Sequence, residues 1–162
     1  MVILLLSALL VSAAFEPIGL WYLALVGYAL FFRALSKSRR PVLSSFIFGA
    51  ALNGIVLHWS SKYVGALPWL LLTLLQAAFY LPVGWLYRRT HNLLWTSLTL
   101  LAMEELRARF PFGGFGWTRI AFSQVESPAL PIVAVGGVIA LSAFTLAVAS
   151  LLVQVRTKNI AG

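Results

Sequence analysis

Two stretches of this chain, residues 66–87 and 129–155, contain no charged side chain. An α-helix needs about 20 consecutive apolar residues to cross the roughly 30 Å hydrocarbon core of a bilayer, and both stretches meet that length. Apolar runs at 2–14, 17–33, 41–59 and 92–107 fill most of what remains. Over the whole chain 61% of residues are hydrophobic and 10% are charged, against about 25% charged in an ordinary soluble domain. Too little polar sequence is left to cover a water-facing globule. The expected class is all-α: a polytopic integral membrane protein, one transmembrane domain over 1–162, with about six transmembrane helices at the six ranges above.

Local signals refine these runs. The first is short for a span, so it reads as a short or trimmed helix; a cleaved signal ending near Ser12-Ala13-Ala14 is the alternative, although no basic residue precedes it. Pro17 suits the first turn of the second helix. The third run carries Ser44, Ser45, Gly49, Ala50, Ala51 and Gly54, small residues that permit close helix packing. Pro82 falls inside the fourth run and predicts a kink, because it offers no backbone N–H. The Gly136-Gly137 pair predicts a bend in the last run.

The charges are distributed as in a membrane protein. Of the twelve Lys and Arg residues, Arg33, Lys37, Arg39, Arg40, Arg88, Arg89, Arg156 and Lys158 lie after the second run, after the fourth and in the C-terminal tail, where no acid occurs. Lys62, Arg107, Arg109 and Arg119 fall on the other side with all four glutamates. The positive-inside rule then places both termini in the cytoplasm and the segment 108–128 outside. The net charge of +8 belongs to these loops rather than to a basic, aromatic-studded soluble face, so nucleic acid is not an expected partner.

Segment 108–128, between the fifth and sixth runs, breaks the apolar pattern. It holds Phe110, Phe112, Phe115, Trp117 and Phe122 beside Gly113, Gly114 and Gly116. Aromatic rings favour the membrane interface, and glycines admit backbone shapes closed to other residues. An interfacial, partly re-entrant loop that admits acyl chains from the side fits this mixture. Just before it, helical spacing pairs Glu104 with Arg107 and Glu105 with Arg109. Such pairs serve either as ion pairs at a helix end or as a site for an anionic lipid headgroup. Gln76 reads as an interhelical hydrogen-bonding group. His58 and His91 each stand alone, so no metal site is expected, and Ser60 and Ser61 have no acid to complete a triad. With no cysteine in the chain, thiol chemistry is excluded. No cofactor is implied, and no span carries an unpaired mid-membrane acid of the kind that marks a transporter's ion route.

Read as a whole, residues 104–137, EELRARFPFGGFGWTRIAFSQVESPALPIVAVGG, resemble the membrane domain of the apolipoprotein N-acyltransferase family. The matching elements are Glu105-Leu106-Arg107, the glycine-aromatic stretch 114–117, Phe122-Ser123-Gln124, Glu126-Ser127-Pro128 and Gly136-Gly137. Glu126 stands where that family more often has aspartate. FEPIGLWYLALVGYALFF, from Phe15, resembles the family's second helix, and FIFGAALNGIVLHWSSKYVGALPW, from Phe46, its third helix and following loop.

The resemblance implies an enzyme family of the bacterial inner membrane that transfers an acyl chain from phospholipid to the N-terminal cysteine of lipoproteins. It implies a thioester intermediate on an enzyme cysteine, with a Glu-Lys-Cys set in an extracytoplasmic nitrilase-like domain inserted between the last two of eight helices. This chain is expected to stop short of the seventh helix and of that domain, so no catalytic residue is carried over and the chain alone is expected to be inactive. Glu105, Arg107, Trp117, Arg119, Ser123 and Gln124 are then expected to shape access for phospholipid and the lipoprotein N-terminus. The alternative is a non-catalytic anchor or scaffold for a separate catalytic polypeptide such as a polyprenol-phosphate mannose synthase.

Overall fold

The computed structural model describes residues 1–158, with side chains as far as Gln154. The basic Arg156 and Lys158 of the tail lie outside the described side chains. Every regular element among the described residues is helical. These are α1 (Val2–Ser12), α2 (Tyr22–Ser36), α3 (Pro41–Val56), the one-turn α4 (Ser61–Val64), α5 (Ala66–Ala78), α6 (Leu81–Thr90), α7 (Leu93–Arg107) and α8 (Val133–Lys158). Short 3₁₀ turns occupy His58–Ser60, Ile120–Gln124 and Leu130–Ile132.

Two helical stretches, Ala66–Thr90 and Leu130–Gln154, are long and apolar enough to cross a membrane. A third forms if α3 and the segment His58–Val64, bent by 51° from it, count as one span, and α1 and α2 are shorter apolar helices. The chain is thus an all-helical integral membrane protein.

Local chemistry explains several boundaries. Pro41 opens α3 at a position where its missing N–H costs nothing. Asn92 caps α7, its Oδ1 accepting from the N–H of Leu94 at 2.8 Å and of Trp95 at 3.3 Å. The α5–α6 break falls at Phe79-Tyr80, just before Pro82, which cannot bond back to the carbonyl of Ala78. At Gly136 and Gly137 the backbone leaves the helical region altogether, with φ of −132° and 66°.

The second helix departs from its expected start. Residues 13–21 form turns rather than the first turns of a helix begun at Pro17, and α2 starts at Tyr22. Gly19 sits at φ +69°, and the Leu20 N–H reaches back to the Ala13 carbonyl at 3.1 Å, so the chain doubles back before it can coil.

The helices meet through small residues and rings. Within a bilayer, close van der Waals packing replaces the hydrophobic drive between helices. A Cβ on Gly49 would fall 2.5 Å from the Tyr80 ring, so its absence lets α3 receive that ring. Phe31 and Phe48 stack at 4.1 Å between centroids, with Tyr28 and Tyr80 edge-on to Phe48 at 6.0 and 5.7 Å.

At Gly84 α6 lies close against α3, where an added Cβ would meet the Pro41 carbonyl oxygen at 2.4 Å and the Val42 Cα at 2.6 Å. Those atoms are backbone and cannot rotate aside. Gly84→Ala is expected to destabilise the bundle by about 2 kcal/mol through forced separation of α3 and α6. Detergent-titrated unfolding checks this, and an unchanged midpoint contradicts it.

Candidate functional site

Segment 108–128 leaves α7 and returns into the bundle, where buried side chains from several elements hold it. Arg107, in the last turn of α7, is 3% exposed. Its guanidinium donates to the Gln76 Oε1 of α5 at 3.2 Å, to the Thr118 hydroxyl and to the Thr118 carbonyl. Thr118 passes the connection on, donating to Asn53 Oδ1 at 2.8 Å, and Asn53 donates to the Gly49 carbonyl of its own helix at 2.8 Å.

Glu104 makes the second half of the anchor. One carboxylate oxygen accepts the Ile120 N–H at 2.7 Å and lies 4.0 Å from the Arg107 guanidinium. The other accepts from the Ser142 hydroxyl of α8 at 2.6 Å, and that hydroxyl also takes the Ala121 N–H at 3.1 Å. An acid and an arginine buried together in an apolar bundle are tolerable only when paired and hydrogen-bonded, and both conditions are met. The pair therefore binds loop backbone on one side and α5 and α8 on the other.

Farther along, the Gln124 amide donates to the Trp21 carbonyl before α2 at 3.0 Å, and also to the Ser123 carbonyl and hydroxyl. Ser123 bonds back to the Ile120 carbonyl at 2.6 Å. Both side chains are buried.

The other branch of the loop lies nearer the surface, with Arg109 exposed and the Arg119–Glu105 pair partly buried. Arg119 pairs with Glu105 at 2.7 Å, and Arg109 reaches the other oxygen of Glu105 at 3.3 Å. Two cations thus share one carboxylate, which leaves net positive charge at the rim. Trp117 is 60% exposed, with its ring 5.2 Å from Trp59 and 6.4 Å from Phe115. Phe110, Phe112 and Phe122 are exposed as well. Beside Trp59 opens a cleft of about 320 Å³, lined by Leu9, Phe15, Glu16, Ile55, His58 and Lys62 among others.

The six residues singled out from the sequence divide in two. Glu105 and Arg119 pair at the rim, while Trp117 is exposed against Trp59 and Phe115. Arg107, Ser123 and Gln124 lie in the interior with their polar groups engaged by the protein, so Arg107 presents no free fork to a headgroup. Arg107 bonds Gln76, as expected for an interhelical hydrogen-bonding group. Asn53, Thr118 and Ser142 were not singled out. Asn53 and Ser142 are polar side chains within apolar helical runs, and that is the signal which marks a buried partner, whereas Thr118, directly before Arg119, carries no such signal.

Comparison with known proteins points the same way as the loop. Residues 7–151 match the family described as the apolipoprotein N-acyltransferase N-terminal domain. An apolipoprotein N-acyltransferase of Azotobacter vinelandii is 30% identical over 163 aligned residues, which cover 88% of this chain and 31% of that protein. One from Mycolicibacterium smegmatis is 36% identical over 70 residues, covering 41% of this chain and 12% of that protein. The chain thus spans under a third of the length of these relatives. With a family match running from α1 to the last turns of α8, the chain belongs to the apolipoprotein N-acyltransferase family, in which it corresponds to the N-terminal domain.

Proposed function

We propose that this chain is the membrane domain of an apolipoprotein N-acyltransferase and that segment 108–128 is its lipid-access loop. The observation that carries this reading is the division of the loop itself. Its inner half is fastened by the buried Glu104–Arg107 pair, while its outer half offers aromatic rings and two arginines around a single carboxylate. A fixed backbone with an amphipathic outer face suits lipid that enters from the bilayer edge. Trp117 guides acyl chains, and Arg119 and Arg109, held by Glu105, meet the headgroup phosphate. Arg107, Ser123 and Gln124 position the loop without touching lipid.

In this reading the domain is a six-span bundle in the bacterial inner membrane. The basic clusters after α2 and α6 lie in the cytoplasm together with both termini, and the loop lies on the outer side. The substrates are phospholipid and the lipoprotein N-terminus. Because the chain contains no cysteine, the acyl thioester forms on a residue outside it, and this domain supplies orientation and access only.

The test uses a full-length family member that carries this loop in place of its own. Trp117→Ala is expected to lower acyl transfer at limiting phospholipid about tenfold, which corresponds to about 1.4 kcal/mol of lost binding. The melting temperature should stay unchanged, because the ring is exposed. Equal turnover at limiting phospholipid would overturn the access role. Unchanged transfer combined with stoichiometric retention of a separate soluble enzyme would favour the anchor reading, with a polyprenol-phosphate mannose synthase as the type of partner.

A further inference from the structure

At the end of the bundle opposite the loop, a cleft of about 450 Å³ lies between the start of α3 and α6. Arg39 and Arg40 from the α2–α3 link and Arg88 from the last turn of α6 line it, and Pro41, Val42, Leu43, Phe46 and Leu81 form its wall. We propose that this cleft binds the headgroup of one anionic phospholipid, with an acyl chain lying along the α3–α6 groove.

Charge complementarity carries the choice of occupant. No acid lines the cleft, and none of the three arginines has an acidic partner among the described residues. All four glutamates of the sequence belong to the other end: Glu104 and Glu105 hold the loop, Glu126 lies within it, and Glu16 lines the cleft beside Trp59. The neighbouring Arg89 is occupied differently, its guanidinium 5.6 Å over the Trp85 ring. Three unpaired forks converging on one concavity match phosphate oxygens, and basic pockets between transmembrane helices are recurrent headgroup sites.

The wall distinguishes a lipid from a free anion. Leu43 and Leu81 are exposed beside the arginines, and both belong to helices that run into the apolar bundle. The geometry is also rigid, because α6 crosses α3 there at the Gly84 contact with Pro41 and Val42. The first turn of α3 has no side-chain cap, so its partial positive charge adds to the field. This site does not rest on the access-loop reading: it lies at the other end of the bundle and shares no residue with the loop.

The experiment titrates the purified full chain in dodecyl maltoside micelles, where inserted orientation plays no part. Native mass spectrometry reads the retention of dioleoyl phosphatidylglycerol against dioleoyl phosphatidylcholine. Phosphatidylglycerol should be retained and phosphatidylcholine should not. Near a surface each arginine contributes about fivefold in affinity, so R39Q/R40Q/R88Q should weaken retention on the order of 100-fold. R33Q/K37Q, which removes charge near the same link but outside the cleft, should change it by less than about twofold. Should the triple variant fail to fold, R88Q alone should show the fivefold loss. An equal fall in R33Q/K37Q would mean diffuse charge attraction and overturn a discrete site. Displacement of the lipid by an equal concentration of inorganic phosphate would overturn the lipid assignment. So would unchanged retention in the triple variant, or in R88Q where that variant stands in for it.

Discussion

Arg107→Met is expected to destabilise the protein by about 3–5 kcal/mol, the range for removing one partner of a buried ion pair. The loss exceeds what the pair itself contributes. Without the guanidinium, Glu104 remains a buried carboxylate, 2% exposed, that has lost its ion-pair partner. Gln76 Oε1 and the Thr118 carbonyl lose their donor at the same stroke. A bilayer or micelle interior offers no water to replace it.

The double variant E104Q/R107M separates these causes. A neutral amide keeps an oxygen to accept the Ile120 N–H and offers an N–H to the Ser142 hydroxyl while removing the stranded charge, so the double variant should regain more than half of the loss. Unfolding in a denaturing-detergent titration measures both. Equal midpoints for the single and double variants would show that the uncompensated charge is not the cause.

How much of this was legible beforehand depends on distance along the chain. Helical spacing pairs Glu104 with Arg107 and Glu105 with Arg109, and both pairs exist, at 4.0 and 3.3 Å. Pro82 and the Gly136-Gly137 pair mark breaks for local covalent reasons, and the backbone breaks beside the first and at the second. Depth is different, because no local rule says which face of α7 turns inward. Arg107 finds Gln76 at a separation of 31 residues, and Thr118 finds Asn53 across 65. Only the packed bundle brings such groups together. An arginine near a helix end therefore looks like an interfacial cation until its partners are known. The loop misleads for a related reason. Its glycines and aromatic rings announce the interface, while the small polar residues among them, Thr118, Ser123 and Gln124, turn inward. The start of α2 was misread because Pro17 is equally at home in a turn and in a first helical turn.

Gly114→Ala is expected to be nearly as damaging, at about 3–4 kcal/mol, whereas Gly113→Ala at the adjacent residue should cost about 1 kcal/mol. Both glycines have positive φ, +90° and +88°, so an alanine pays the left-handed penalty at either position. Their surroundings differ. Nothing lies within 4 Å of a Cβ built on Gly113, but one on Gly114 would stand 2.2 Å from the carbonyl carbon and oxygen of Ala108 and 2.4 Å from the Arg109 nitrogen. Those atoms belong to the turn that ends α7, where the Phe115 N–H caps the Arg107 carbonyl at 2.8 Å. Moving the loop away from Ala108 breaks that cap and pulls Thr118 from the Arg107 guanidinium, so overpacking adds to strain. Thermal unfolding of the two variants in the same micelle makes the comparison, and limited proteolysis at segment 108–128 reads whether the loop has left the bundle. A faster cut in the Gly114 variant alone is the expected pattern. Equal losses in both variants would mean that backbone conformation, rather than the close approach to α7, sets the requirement for glycine here.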